Sequence, residues 1–211
     1  MHTDLQTIFV LLFVLLFSMS IHEMMHAFAS DYLGDDTARL MGRVSLNPLR
    51  HIDPVLTVAL PLLLLLSGSS FLFGAAKPVQ VNFNRLRHGE FGGAIVGMIG
   101  PLTNLLIAVL AALIFNHLSL DSSGLAYTAF RLTIELNVGL FVFNSIPWPP
   151  LDGSRLLYAF APEPLQELMQ SIERTGIMSL VIFIFLFVQF GSGVTNLMGD
   201  LVNYLAPTLV L

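Results

Sequence analysis

Residues 5–31 read LQTIFVLLFVLLFSMSIHEMMHAFASD, an apolar run from Leu5 to Ile21 followed at once by His22, Glu23, His26 and Asp31. Nothing between Leu5 and Tyr32 breaks a helix and Gly34 supplies a stop, so the stretch predicts one helix from near Asp4 to about Leu33. Its first half is long enough to enter a hydrocarbon core that needs ~20 apolar residues to cross. The polar half then faces a protein interior or leaves the membrane into water.

The rest of the chain keeps to the same medium. Of 211 residues, 55% are hydrophobic and 11% charged, with a mean hydropathy of +0.79, unlike a soluble globular chain. Charge-free stretches recur at Pro54 to Ala76, Phe91 to Leu120 and Thr175 to Gly199, with a shorter one at Leu136 to Leu151. No segment between them is long enough to fold separately, so residues 1–211 read as a single integral-membrane domain of the all-α, polytopic class. A net charge of −5 and the absence of cysteine exclude a basic nucleic-acid face, disulfides and thiolate metal sites. Any metal must use His, Asp or Glu. A cleaved signal peptide is a poor reading, because Met1 to Asp4 holds no Lys or Arg and the apolar run is long.

Lys and Arg collect in short cytoplasmic loops. Arg39, Arg43 and Arg50 follow the first helix, and Lys77, Arg85 and Arg87 follow the second apolar stretch. Both loops therefore want one side, which predicts a re-entrant hairpin over Pro54 to Phe73 bent at Pro61 and Ser67 to Ser70; a full crossing with an uninformative charge bias is the alternative. Between them, Leu40-Met41 and Arg43 to Leu46, punctuated by Gly42 and Asn47-Pro48, predict a small β-hairpin within Arg39 to Asp53. Further spans are expected at Phe91 to Phe115, Thr128 to Ile146 and Ile177 to Phe190, followed by a tail from Val194 that lies in the interface or forms a short helix.

His22-Glu23-Met24-Met25-His26 is an HExxH motif. Helical positions i and i+4 lie about 40° apart, so both imidazoles can reach one ion with Glu23 beside them. Two neutral imidazoles suit Zn2+, and a carboxylate next to the metal can act as general base. Ionisable groups in a membrane helix cost at least ~2.5 kcal/mol each unless compensated, and a metal compensates them; a helix end emerging into water is the plain alternative. A third ligand is needed. Asp152-Gly153 follows Pro147, Pro149 and Pro150, which taken alone reads as a turn, yet a helix from about Thr128 would end here at the depth of His22. Asp152 is the candidate.

HExxH in a membrane helix, followed by Asn144 to Gly153 in the pattern NxxPxxxLDG, resembles the site-2 protease family of intramembrane zinc metalloproteases. Gly100-Pro101-Leu102-Thr103-Asn104 is similar to the GPxxN of that family's middle core helix. The segments Gly42 to Pro48, His51 to Pro54 and Ala76 to Val79 resemble its compact bacterial members. The likeness covers roughly residues 18 to 160. It implies a site-2-protease-like helical core without PDZ or CBS modules, one Zn2+ held by His22, His26 and Asp152, a catalytic Glu23, and Asn144 in support near the scissile carbonyl. Asn104 would line the cavity. The implied substrates are membrane proteins with a transmembrane helix, cleaved in the lipid bilayer of a bacterial cytoplasmic membrane after local unwinding. No nucleic-acid partner is expected, and oligomeric state is left open. The apolar segment Pro54 to Phe73 departs from a three-helix core.

Other residues read more plainly. The Arg43 to Asn47 piece is a candidate strand for pairing with an unwound substrate. His51 and Asp53 are loop hydrogen-bonders before they are a second ion site. Arg131 and Glu135 form an i, i+4 pair, Trp148 is an interfacial anchor, and Phe183, Phe185, Phe187 and Phe190 suggest lipid or helix contact. The rival functions are a metal-ion transporter and a pseudoprotease that keeps the fold for binding.

Overall fold

The computed structural model describes residues 5–66, 76–122 and 124–209. Among them the chain forms α1 (Leu5–Tyr32), α2 (Thr37–Leu40), α3 (Leu60–Leu66), α4 (Gly89–His117), α5 (Leu125–Asn144), α6 (Gly153–Phe160), α7 (Glu163–Arg174), α8 (Ile177–Phe190) and α9 (Ser192–Leu205). Short 3-10 turns at Pro48–Arg50 and Phe83–Arg85 and a π-helical turn at Pro54–Ala59 connect them. Three of these helices, α1, α4 and α5, are long and apolar enough to cross a membrane. In hydrocarbon every backbone polar group must be satisfied within its own segment, which is why such apolar runs become continuous helices. Hydroxyls obey the same rule: Ser20 donates to Leu16 O (2.6 Å), Thr103 to Ile99 O (2.7 Å) and Thr133 to Ala129 O (2.7 Å), each one turn back along its own helix.

α1, α4 and α5 pack against one another, α4 most extensively with the other two, and α6 lies across the first turns of α4. It does so by being thin. Gly92, Gly93, Gly97 and Gly100 are buried in its first half and Ala108, Ala111 and Ala112 in its second, so neighbouring backbones approach closely, the usual basis of helix association in lipid. Ala108, Ala111, Ala112 and Phe115 pack with Tyr127, Ile134, Val138 and Val142 of α5 and Val202 of α9 to form the largest buried cluster. α8 attaches through aromatic rings: Phe183 and Phe187 are buried with Leu151 against Phe143, Ile146 and Trp148, while Phe185 and Phe190 face outward. Trp148 is thus a packing anchor, its indole N–H donating to Ser179 Oγ at 3.3 Å.

The expected β-hairpin within Arg39 to Asp53 is absent: the described residues hold no strand. The backbone after α2 turns on itself instead, with Gly42 at φ 69° and Arg43 N–H donating to Ala38 O at 2.9 Å. Arg43 points inward, 4% exposed, and its guanidinium donates to Arg50 O (2.5 Å) and Pro78 O (3.3 Å), while Val44 and Leu46 point out. The alternation that reads as a strand is therefore one inward cation followed by two outward apolar residues, and among the described residues Arg43 to Asn47 form no strand. Of the expected re-entrant hairpin, the described residues hold one arm, where Pro54–Ala59 runs into α3 as helix through Pro61; the expected bend at Ser67 to Ser70 and the residues up to Phe73 lie outside them. Asp53 initiates that helix: its Oδ1 accepts from Val55 N–H (2.9 Å) and its own N–H donates to Thr57 Oγ1 (2.9 Å), a capping role.

From Ala76 to Asn82 the chain runs extended along the polar half of α1. Lys77 N–H donates to His51 O (2.8 Å), Val79 N–H to Glu23 Oε2 (3.1 Å) and Asn82 N–H to Asp35 Oδ2 (2.7 Å). Asp35, fully buried, also accepts from Ser30 and Thr37. Burial alone would push its carboxyl up, but the donors from Thr37, Asn82 and Ser30 together hold it below the usual carboxylate range.

Candidate metal centre

On α1, His22 and His26 project from one face toward α4, both 6% exposed. Their Nε2 atoms lie 2.9 Å apart. Asp152, immediately before α6, closes the group: its Oδ2 is 3.1 Å from His22 Nε2 and 3.5 Å from His26 Nε2. These three are the group of His and carboxylate residues able to hold a metal ion among the described residues.

The donor chemistry fits zinc. Ligands ~2.0–2.1 Å from a tetrahedral ion stand about 3.3 Å from one another, and the three observed separations straddle that value. His26 Nδ1 faces Val96 O at 2.7 Å, and a carbonyl only accepts, so Nδ1 carries a proton and, in the neutral ring a metal requires, Nε2 presents the lone pair. His22 Nδ1 lies 2.6 Å from Asn104 Oδ1 in the same arrangement. Two imidazole lone pairs and a carboxylate oxygen thus converge, and only a cation or shared protons can hold such a set together. α4 supplies the space. A Cβ on Gly100 would stand 2.4 Å from His26 Nε2 and 2.7 Å from His22 Nε2, so this position is a cradle that only glycine leaves open.

Close backbone approach also places Asp152. A Cβ on Gly153 would meet Ser145 O at 2.3 Å, and one on Gly97 would meet Asp152 O at 2.9 Å, so the turn from α5 into α6 folds under the end of α5 and against α4. Leu151 N–H donates to Trp148 O (2.7 Å), and Ser179 Oγ donates to Pro149 O (2.5 Å), tying this turn to α8.

The remaining expected residues stand at the margin. Glu23, next to His22, directs its carboxylate to Val79 N–H. Asn144 ends α5 and donates to Leu140 O at 2.9 Å; none of its described hydrogen bonds reaches the three clustered residues. Asn104 is a fully buried partner of His22, a firmer role than lining a cavity. Sequence reading quoted Gly100 only as the first residue of the GPxxN match, with no role at the cluster, and passed over Asn137, fully buried and bonded to Asn104. A polar amide inside a membrane span was the signal available for Asn137.

The chain is 36% identical over 186 residues to the Bacillus subtilis (strain 168) protein named "Putative zinc metalloprotease YwhC", covering 84% of this chain and 80% of that one. It is 30% identical over 175 residues to the Mycobacterium tuberculosis (strain H37Rv) protein named "Putative zinc metalloprotease Rip2", covering 80% of this chain and 64% of that one, so it spans less than two thirds of Rip2. The Mycolicibacterium smegmatis protein of that name is 29% identical over 174 residues, with the same coverage. No family model matches the chain, and neither does any solved structure.

Proposed function

This chain belongs to the zinc metalloprotease family that includes YwhC, and from that membership and its three membrane-length helices we propose that it is an intramembrane endopeptidase of the site-2 type. Its substrates are membrane proteins cut in or near a transmembrane helix, in a bacterial cytoplasmic membrane. The observation that carries this reading is the meeting of Asp152, in the turn after α5, with His22 and His26 of the membrane-length helix α1, 130 and 126 positions away in sequence.

His22, His26 and Asp152 would hold the zinc. Bound there, it supplies Lewis acidity, polarising the scissile carbonyl and lowering the pKa of a water. Glu23 takes up the proton released on attack and returns it to the leaving amine. Val79 N–H donates to Glu23 Oε2 at 3.1 Å and so holds the carboxylate in place from the side of the extended segment. Asn144 spends one amide hydrogen on Leu140 O and keeps the other to steady the substrate carbonyl. A substrate helix hides its amides in its own ladder and must unwind before any of these groups can reach one.

The test is zinc content and cleavage of a model transmembrane substrate by detergent-purified protein. Wild type should hold about one zinc and cleave; Glu23→Gln should keep the zinc and lose ~10²–10⁴-fold in rate. Asp152→Ala should lose zinc affinity. A Glu23→Gln variant that cleaves normally, or an Asp152→Ala variant with unaltered zinc, would refute the assignment of those residues.

A further inference from the structure

Thr133 has no part in the chemistry above, yet its backbone carbonyl ends a line of hydrogen bonds that begins at His22. His22 Nδ1 lies 2.6 Å from Asn104 Oδ1; Asn104 Nδ2 donates to Asn137 Oδ1 at 2.8 Å; Asn137 Nδ2 donates to Thr133 O at 2.8 Å and to Ser18 Oγ at 2.9 Å. Both asparagines are completely buried, and the line joins α1, α4 and α5.

Its direction follows from one end. A carbonyl can only accept, so Asn137 must turn its NH2 to Thr133 and its oxygen to Asn104. Asn104 must then offer its NH2 to Asn137 and its oxygen to His22. His22 must in turn carry a proton on Nδ1, so that in the neutral ring Nε2 is the lone pair facing His26 and Asp152. Reversing either amide would set donor against donor and acceptor against acceptor where no water can intervene. His26 reaches a backbone carbonyl directly, at Val96; His22 reaches one through two amides.

We propose that Asn137 is a positioning residue which, referenced to the Thr133 carbonyl, sets the tautomer of His22 and thereby keeps its Nε2 available to the metal. This rests on the metal reading of the cluster. It acts on zinc affinity and ligand field, not on substrate contact.

The test compares zinc dissociation constants by chelator competition, and the visible absorption of the cobalt(II)-substituted protein, with apo thermal unfolding followed in parallel. A hydroxyl donates or accepts with equal ease, so Asn137→Ser leaves Asn104 undirected and should weaken zinc by about tenfold and alter the cobalt spectrum. Adding Asn104→Asp gives His22 a partner whose two oxygens both accept, so direction is no longer needed, and affinity should return to within about threefold of wild type. Ser18→Ala keeps both amides and the Thr133 carbonyl and should stay within about twofold; it provides an independent reading where Asn137→Ser does not fold. Unchanged zinc binding in Asn137→Ser overturns the proposal, as does a loss that Asn104→Asp fails to recover, which would mark Asn137 as packing alone. A loss in Ser18→Ala equal to that in Asn137→Ser would show that Thr133 is not the reference. Wild-type protein that binds no zinc would overturn the metal reading and this proposal together, whereas zinc-loaded wild type with indifferent variants would overturn this proposal only.

Discussion

Replacing Gly100 by alanine adds a single carbon at a point fixed by the α4 backbone, 2.4 Å from His26 Nε2, 2.6 Å from His26 Cε1 and 2.7 Å from His22 Nε2. Relaxed contacts between such atoms need ~3.5 Å, so α4 or the two rings must retreat by about 1 Å. Zinc ligation tolerates departures of roughly 0.2 Å from ideal bond lengths. The added methyl also crowds the two nitrogens that an ion would have to bridge. Zinc sites bind with ~10–16 kcal/mol in total, so losing even one ligand of four removes roughly 3 kcal/mol. That is about 10²-fold in affinity. The folded apo protein should suffer the ordinary overpacking cost of ~1–3 kcal/mol. Chelator competition on detergent-purified wild type, Gly100→Ala and Gly199→Ala measures this directly. Gly199 lies on α9, where an added Cβ meets nothing within 4 Å, and its variant should bind zinc as wild type does. Zinc held by Gly100→Ala within about threefold of wild type would refute the placement of the ion beneath α4.

Asn144→Ala should leave zinc content unchanged while lowering turnover by ~10²-fold, the cost of one lost donor to a developing oxyanion, read as kcat on a model substrate. Asp35 gives a pH signature away from the metal. Because its folded-state pKa is depressed, it contributes stability present above the unfolded carboxylate value of about 3.9 and lost as pH falls through the lower folded value. Thermal midpoints followed downward from about pH 5 should therefore fall more steeply in wild type than in Asp35→Asn. At neutral pH that variant should be less stable by ~1–3 kcal/mol, since its amide would meet the Asn82 N–H head-on.

The long helices were legible because lipid enforces a simple rule. Apolar residues in sequence mark a span, and α1 begins and ends within about a residue of its expected bounds, as does α8. The loop from Arg39 to Asp53 was misread for the complementary reason. Period-2 patterning identifies a strand when a partner strand and a common core lie on one side, but here Arg43 takes the inside, drawn to the carbonyls of Arg50 and Pro78. Nothing in the local sequence announces that Pro78, 35 positions on, supplies one of those acceptors.

The division at the site follows the same line. Local spacing alone determined that His22 and His26 share a helical face and that Glu23 stands beside them, because 3.6 residues per turn leaves no other arrangement. The sequence also offered Asp152 as a ligand type, ahead of a glycine that lets a turn close. Only tertiary structure brought its oxygen to 3.1 Å from His22, since that distance depends on Gly97 and Gly153 admitting one backbone against another. Only tertiary structure, likewise, aligned Asn104 and Asn137 so that a carbonyl of α5 governs an imidazole of α1. Hydrogen-bond direction is a property of pairs, and these pairs lie 82, 33 and 4 positions apart. Composition placed the chain in a membrane and a five-residue motif named its chemistry, while the packing of three helices decides which lone pairs face the metal.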